Sequence, residues 1–289
     1  MLNGLSLGAI FALIALGYTM VYGVLRFINF AHSDIFMVGA YLGYYAARLV
    51  PAHSIWGGLA VLAVSMVACA ALGVLIERFA YRPLRGSATL NVLITAIGVS
   101  LLLENVGQQV FGATPRPFPE LFPVRTYNLG GIFISSNQLV VIGVTLVLLF
   151  ALRHIVMRTK IGIAMRAVAL NKQAASLVGI NNDLIISFTF ALGSALAAAG
   201  GILYALNYPS IDPLMGVLPG LKAFVAAVLG GIGNIPGAAL GGLLLGVVET
   251  FVSGSEWSTY KDAIAFALLI LILLFRPAGL LGRFTKEKV

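Results

Sequence analysis

Nine apolar runs, at about 5–25, 28–50, 57–76, 88–110, 138–156, 184–206, 218–232, 237–253 and 260–275, leave this chain little room for a water-facing domain. Several reach the roughly 20 residues that a helix needs to cross a hydrocarbon core. Only 10% of residues are charged, against about 25% in soluble domains. A transmembrane barrel would show alternating segments of ~10 residues instead. The expected fold is an all-α polytopic membrane protein with about eight or nine transmembrane or half-membrane helices, one transmembrane domain over 1–289.

Charge sets the topology. Eighteen basic residues against ten acidic give +8, and in a membrane protein such an excess marks cytoplasmic loops rather than nucleic-acid binding. Arg78, Arg82 and Arg85 follow the third run. Arg153, Arg158, Lys160, Arg166 and Lys172 follow the fifth, with no acid between Glu120 and Asp183. Arg276, Arg283, Lys286 and Lys288 follow the last. If all three clusters are cytoplasmic, the segment 112–136, with Pro115, Pro117, Pro119 and Pro123, is an irregular external loop, and 158–183 and the C-terminus are cytoplasmic. Counting back through three spans puts the N-terminus outside, unless the second span is broken. No Lys or Arg precedes Arg26, so 5–25 reads as a retained span rather than a cleaved signal.

The run 218–253 is too rich in Gly and Pro at its centre, from Gly230 to Gly242, for one continuous helix. It reads as two short helices joined by an uncharged turn, which membrane depth tolerates only where protein or water covers it. Gly237, Gly241 and Gly242 then permit close helix approach, and 195–201 offers a similar small-residue face.

In the loop 158–183, Asn171 is placed to cap a short helix of Lys172, Gln173, Ala174, Ala175, Ser176, Leu177 and Val178, with Gly179 as its stop. Asn182 is placed to cap the next span, with Asp183 in its first turn. The short helix reads as a docking knob, or as an amphipathic loop on anionic lipid.

Chemistry is sparse. His32, His53 and His154 form no HExxH pair, and no GxxxxGK[ST] loop cradles a nucleotide. The one cysteine, Cys69, lies in an apolar run as a packing residue. No catalytic residue, metal site or cofactor is expected. The apolar runs do carry Asp34, Glu104, Lys222 and Glu249, and Asn29, His32, Ser33 and Asp34 crowd the junction of the first two. Ionisable groups at bilayer depth face protein or water. They either relay protons or ions, or pair to hold broken helices, and Lys222 with Glu249 is the expected structural pair across the 218–253 hairpin.

Several ordered blocks then carry a resemblance. Asn3-Gly4-Leu5-Ser6-Leu7-Gly8 through Gly17-Tyr18-Thr19-Met20-Val21-Tyr22-Gly23 and Ile28-Asn29-Phe30-Ala31-His32 open it. Glu77-Arg78-Phe79-Ala80-Tyr81-Arg82-Pro83-Leu84-Arg85, the segment 162–182, Lys222 to Ala238 and Arg276-Pro277-Ala278-Gly279-Leu280-Leu281-Gly282 continue it. Together they resemble the LivH-type permease subunit of branched-chain amino acid ABC importers over nearly the full length. One departure is Ser33, where that family usually has glycine.

The resemblance implies a permease domain that pairs with a homologous second permease, two cytoplasmic ABC ATPase subunits and an extracytoplasmic solute-binding protein. It places the chain in the bacterial cytoplasmic (inner) membrane, carrying branched-chain or related small amino acids. Asn171, Lys172, Ala174, Ala175, Ser176, Leu177 and Gly179 would then form the ATPase-coupling helix. Asn29, His32, Asp34 and Glu104 are the expected members of the translocation path. A proton-coupled secondary transporter of small polar solutes, acting through Asp34, Glu104 or Glu249, is the alternative. A membrane scaffold would leave those polar residues unexplained.

Overall fold

The computed structural model describes residues 1–51, 53–129 and 132–282. Arg283, Lys286 and Lys288 of the third basic cluster lie outside the described residues.

Helix α1 (Leu2–Leu25) is apolar on every side, and 94% of its 18-residue core window is buried. A helix without a polar face belongs at the centre of a bundle. Around it pack α10 (Ile235–Ser253), α8 (Asn182–Asn207), α9 (Val217–Gly230) and α5 (Ser136–Arg158). Helix α2 (His32–Ala46) sits against α8, α3 (Ile55–Ile76) and α4 (Thr89–Phe111), and α11 (Lys261–Phe275) closes the outside of the α9–α10 pair. The apolar stretches of α4 and α5 are only 17% and 22% buried and that of Ser258–Phe275, which contains α11, 6%, so their apolar faces point outward, as a lipid solvent requires.

Among the described residues, seven helices are long and apolar enough to cross a membrane. The shorter α2 and α9 are not among them; with these two the bundle has nine α-helices outside 158–183 among the described residues, the upper of the two expected numbers. The second differs from the run at 28–50. Helix α2 has 15 residues, and at 1.5 Å each it is about 22 Å long, short of the ~30 Å hydrocarbon core. The parity count that placed the N-terminus outside loses its support for that reason.

Close approach of backbones holds the centre. A Cβ added at Gly246 would lie 2.2 Å from Gly8 Cα, and one at Gly242 would lie 2.4 Å from the Ala12 nitrogen. Between α8 and α2, a Cβ at Gly201 would meet the Phe36 carbonyl at 2.1 Å. Gly237 and Gly241 bring α10 equally close to Gly230 and Ala226 of α9. Packing of this kind replaces the hydrophobic drive that lipid does not supply.

The α9–α10 hairpin breaks where its glycines lie. Gly231 and Gly233 have φ of 104° and 90°, a region that side chains avoid, and Asn234 caps α10 by accepting from Gly237 N at 3.2 Å. The end of α9 is covered by the segment after α11. Leu280 N donates to Leu229 O at 2.8 Å and Leu281 N to Gly230 O at 3.1 Å. Asn234 Nδ2 in turn donates to Leu281 O at 2.7 Å.

Two expectations are corrected. Segment 112–136 is not irregular throughout: β2 (Thr126–Leu129) pairs antiparallel with β3 (Ile132–Ser135), and β1 (Arg116–Pro117) pairs with β4 (Ser210–Ile211). Tyr127, Ile132, Phe133 and Ile134 favour strands, which outweighs the prolines upstream. Asn181, not Asn182, caps α8 by accepting from Leu184 N at 3.2 Å. Asn182 instead donates to Lys172 O at 2.8 Å, so neighbouring asparagines divide two tasks.

Candidate functional site

Helix α1 ends at Arg26, whose φ of 59° is left-handed and whose N–H reaches Tyr22 O at 2.7 Å. The chain then runs through Asn29 to the start of α2 at His32. Each expected path residue here is buried and bonded to a distant element. Asn29 Oδ1 accepts from Tyr81 Oη at 2.5 Å. His32 Nε2 lies 3.2 Å from Ile14 O, and since a carbonyl only accepts, the ring carries its proton on Nε2. Asp34 Oδ2 accepts from Ser100 Oγ at 2.5 Å. Glu104 stands one turn beyond Ser100 on the same face of α4, half-buried.

Small residues make room for this junction. A Cβ on Gly17 would fall 2.2 Å from the His32 ring, which also lies edge-on to Tyr18 at 4.7 Å. Gly17→Ala is therefore expected to push His32 off its carbonyl and cost about 1–2 kcal/mol. Denaturant titration in micelles checks this, and unchanged stability would show that the ring has room to spare.

Ser33 donates to Phe30 O at 2.8 Å. Its Cβ lies 2.2 Å from where a Cβ on Gly220 would stand, and its carbonyl is equally close to Gly216. The close approach of α2 to the start of α9 therefore rests on the absence of a Cβ at Gly216 and Gly220.

At the other end of the charge pattern, Asn171 Oδ1 accepts from Ala174 N at 3.0 Å and opens α7 (Lys172–Leu177). It follows α6 (Lys160–Leu170), which Thr159 caps at 3.1 Å through Gly162 N. Ala175 seats α7 at 3% exposure, while Leu177 and Val178 are 88% and 76% exposed. Ala174 and Ser176 are exposed beside them, and Gly179 turns the chain away at φ 85°. A small rigid helix thus presents an apolar tip.

Lys222 Nζ lies 2.6 Å from Glu249 Oε1 and 2.6 Å from Asp262 Oδ1, so α9, α10 and α11 meet at one ammonium. Asp262, at the start of α11, is the partner that the sequence did not disclose. A second unforeseen network joins the basic cluster to α8: Arg85 pairs with the fully buried Glu77 and, at 2.5 Å, with Asp183. Arg82 also pairs with Asp183, and Ser187 Oγ donates to Glu77 at 2.5 Å. The only sequence signal was an acid at each helix end facing arginines, which names no partner.

The chain matches, over residues 1–273, the family model described as branched-chain amino acid transport system / permease component. It belongs to that family. BraD of Pseudomonas aeruginosa, a high-affinity branched-chain amino acid transport system permease protein, is 45% identical, with 100% of this chain and 97% of the relative covered. LivH of Escherichia coli K12 is 43% identical, with 100% and 96% covered. A probable LivH of Methanocaldococcus jannaschii is 29% identical, with 93% and 88% covered. With its apolar helices, this chain is a multi-pass membrane transport permease.

Proposed function

We propose that this permease is the membrane subunit of an ATP-driven ABC importer for branched-chain or related small amino acids. A homologous second permease completes the path, and an extracytoplasmic binding protein delivers the substrate. Two cytoplasmic ABC ATPases supply the energy. The chain acts as one permease domain in the bacterial inner membrane, with loop 158–183 and the C-terminus cytoplasmic.

The observation that carries this reading is α7. Its cap, its buried Ala175 and its exposed Leu177 and Val178 suit a knob seated in a groove of a soluble partner. Closure of the ATPases would move α7 and, through the Asn182 bond to Lys172 O and the Arg82–Arg85–Asp183 network, the ends of α8 and α3. Helix α2 packs against both, so its junction with α1 at Asn29, His32 and Asp34 acts as a gate beside the path, with Glu104 at its edge.

Co-purification with the ATPases and uptake into vesicles test this. Deleting residues 171–179 should abolish both. Asn171→Ala, which removes one cap worth about 1 kcal/mol, should weaken ATPase retention and leave the bundle folded. Persistence of complex and ATP-dependent uptake in the deletion would end the coupling assignment. Uptake that stops when the proton gradient collapses at constant ATP would favour the proton-coupled alternative. Ligand-induced thermal shifts of the binding protein identify the amino acid.

A further inference from the structure

Beside the α1–α2 junction, at the foot of α7, lies a basic cavity. Its volume is about 150 Å³, and it is lined by Arg26, Arg85 and Lys172 with Ser87, Thr89 and Tyr81. Arg85 is already held by Glu77 and Asp183. Among the described residues, neither Arg26 nor Lys172 has an ion-pair partner. Burial, and then the charges of Arg85 and Arg26, push the Lys172 ammonium below its usual range, so an anion there would relieve it. Helix α4 starts at the same place behind Ala88, which brings no side-chain oxygen to its first amides. A 23-residue helix with an uncapped N-terminus adds partial positive charge.

The cavity does not close on the protein. Arg26, Phe27 and Thr89 also line a neighbouring groove of about 300 Å³ whose other walls are Tyr22, Ile28, Leu90 and Leu93. Leu90 is 63% exposed, on the outward face of α4. Surplus cations at the depth of helix ends, joined to an apolar groove running along a membrane helix, match one molecule in two parts. A free phosphate would leave the groove empty, and a soluble acidic peptide would not follow it toward the hydrocarbon. Basic pockets at helix ends bind anionic headgroups in this way.

We infer that this cavity and groove bind an anionic phospholipid, its phosphate between Arg26, Lys172 and the start of α4, and an acyl chain between Ile28, Leu90 and Leu93. The bound lipid would brace α1 against α4 across the junction with α2, a role that transport chemistry alone does not predict.

Native mass spectrometry of the purified full-length permease tests this with phosphatidylglycerol and phosphatidylethanolamine of identical acyl chains. The wild type should retain phosphatidylglycerol preferentially, and R26Q/K172Q should reduce that preference by about thirty-fold, as two membrane-surface cations imply. Arg153→Gln, which removes an exposed cation outside the cavity, should leave it unchanged. Equal retention by R26Q/K172Q and wild type would overturn the inference, as would an equal loss in Arg153→Gln. Displacement of the lipid by glycerol phosphate at equal concentration would also overturn it, by showing a bare anion site. Folding of R26Q/K172Q is checked by its binding of phosphatidylethanolamine, which should match wild type.

Discussion

Lys222→Met is expected to destabilise the permease by about 3–5 kcal/mol, the usual cost of leaving a buried charge without its partner. Lys222 is 6% exposed and Glu249 8%, so little water reaches the carboxylate to replace the ammonium. Glu249 Oε2 already lacks a hydrogen-bond partner, so the contact of Oε1 with Lys222 Nζ at 2.6 Å is the one this carboxylate keeps. Asp262, with a side chain 39% exposed, turns to solvent more easily and carries less of the loss. The double variant K222M/E249L should recover most of the stability, because removing both members of a buried pair is often neutral. Unfolding in mixed micelles measures both. If Lys222→Met alone unfolds like wild type, the three-helix junction is not held by this charge.

The second large effect is expected at Gly246. Helices α1 and α10 touch backbone to backbone there, and the atoms that a new Cβ would meet, Gly8 Cα and Gly8 N at 2.2 Å, have no rotamer to change. Gly246→Val therefore separates the two helices, and α1 is the helix most fully enclosed by the others. A cost at or above about 3 kcal/mol follows from overpacking alone, seen as loss of monodisperse protein on size exclusion. Gly98→Ala on α4 is the control. Nothing lies within 4 Å of its added Cβ, and helix propensity favours alanine by up to about 1 kcal/mol. Equal behaviour of the two variants would mean that α1 and α10 have freedom to part.

What the residues disclosed in advance follows from what each interaction needs. Hydropathy located most of the spans because lipid-facing and protein-buried helices alike are built of apolar residues, whatever their neighbours. The break in 218–253 was legible because Gly231 and Gly233 free the backbone and Pro236 fixes it locally, and Asn171 was legible as a cap because its acceptor serves an amide three residues away. The partners of Asn29, His32 and Asp34 were not, since they stand 52, 18 and 66 positions distant. Lys222 and Glu249 came within reach because a hairpin joins them, whereas Asp262 arrives from a separate helix. Ser33 appeared as an isolated departure, and the glycines that leave it room, Gly216 and Gly220, are brought opposite it only by packing.

The order in which the chain is made gives the segment after α11 a consequence of its own. Leu229 and Gly230 expose their carbonyls from the moment the α9–α10 hairpin enters the bilayer, and the amides that satisfy them belong to Leu280 and Leu281. Some fifty residues must be synthesised in between, at roughly 5–20 residues per second, so the hairpin waits for several seconds with its turn uncovered. A ribosome that stalls or a message that ends early releases a bundle with a visible flaw at that turn. Leu280 and Leu281 therefore complete the α9–α10 turn only after α11 has been made.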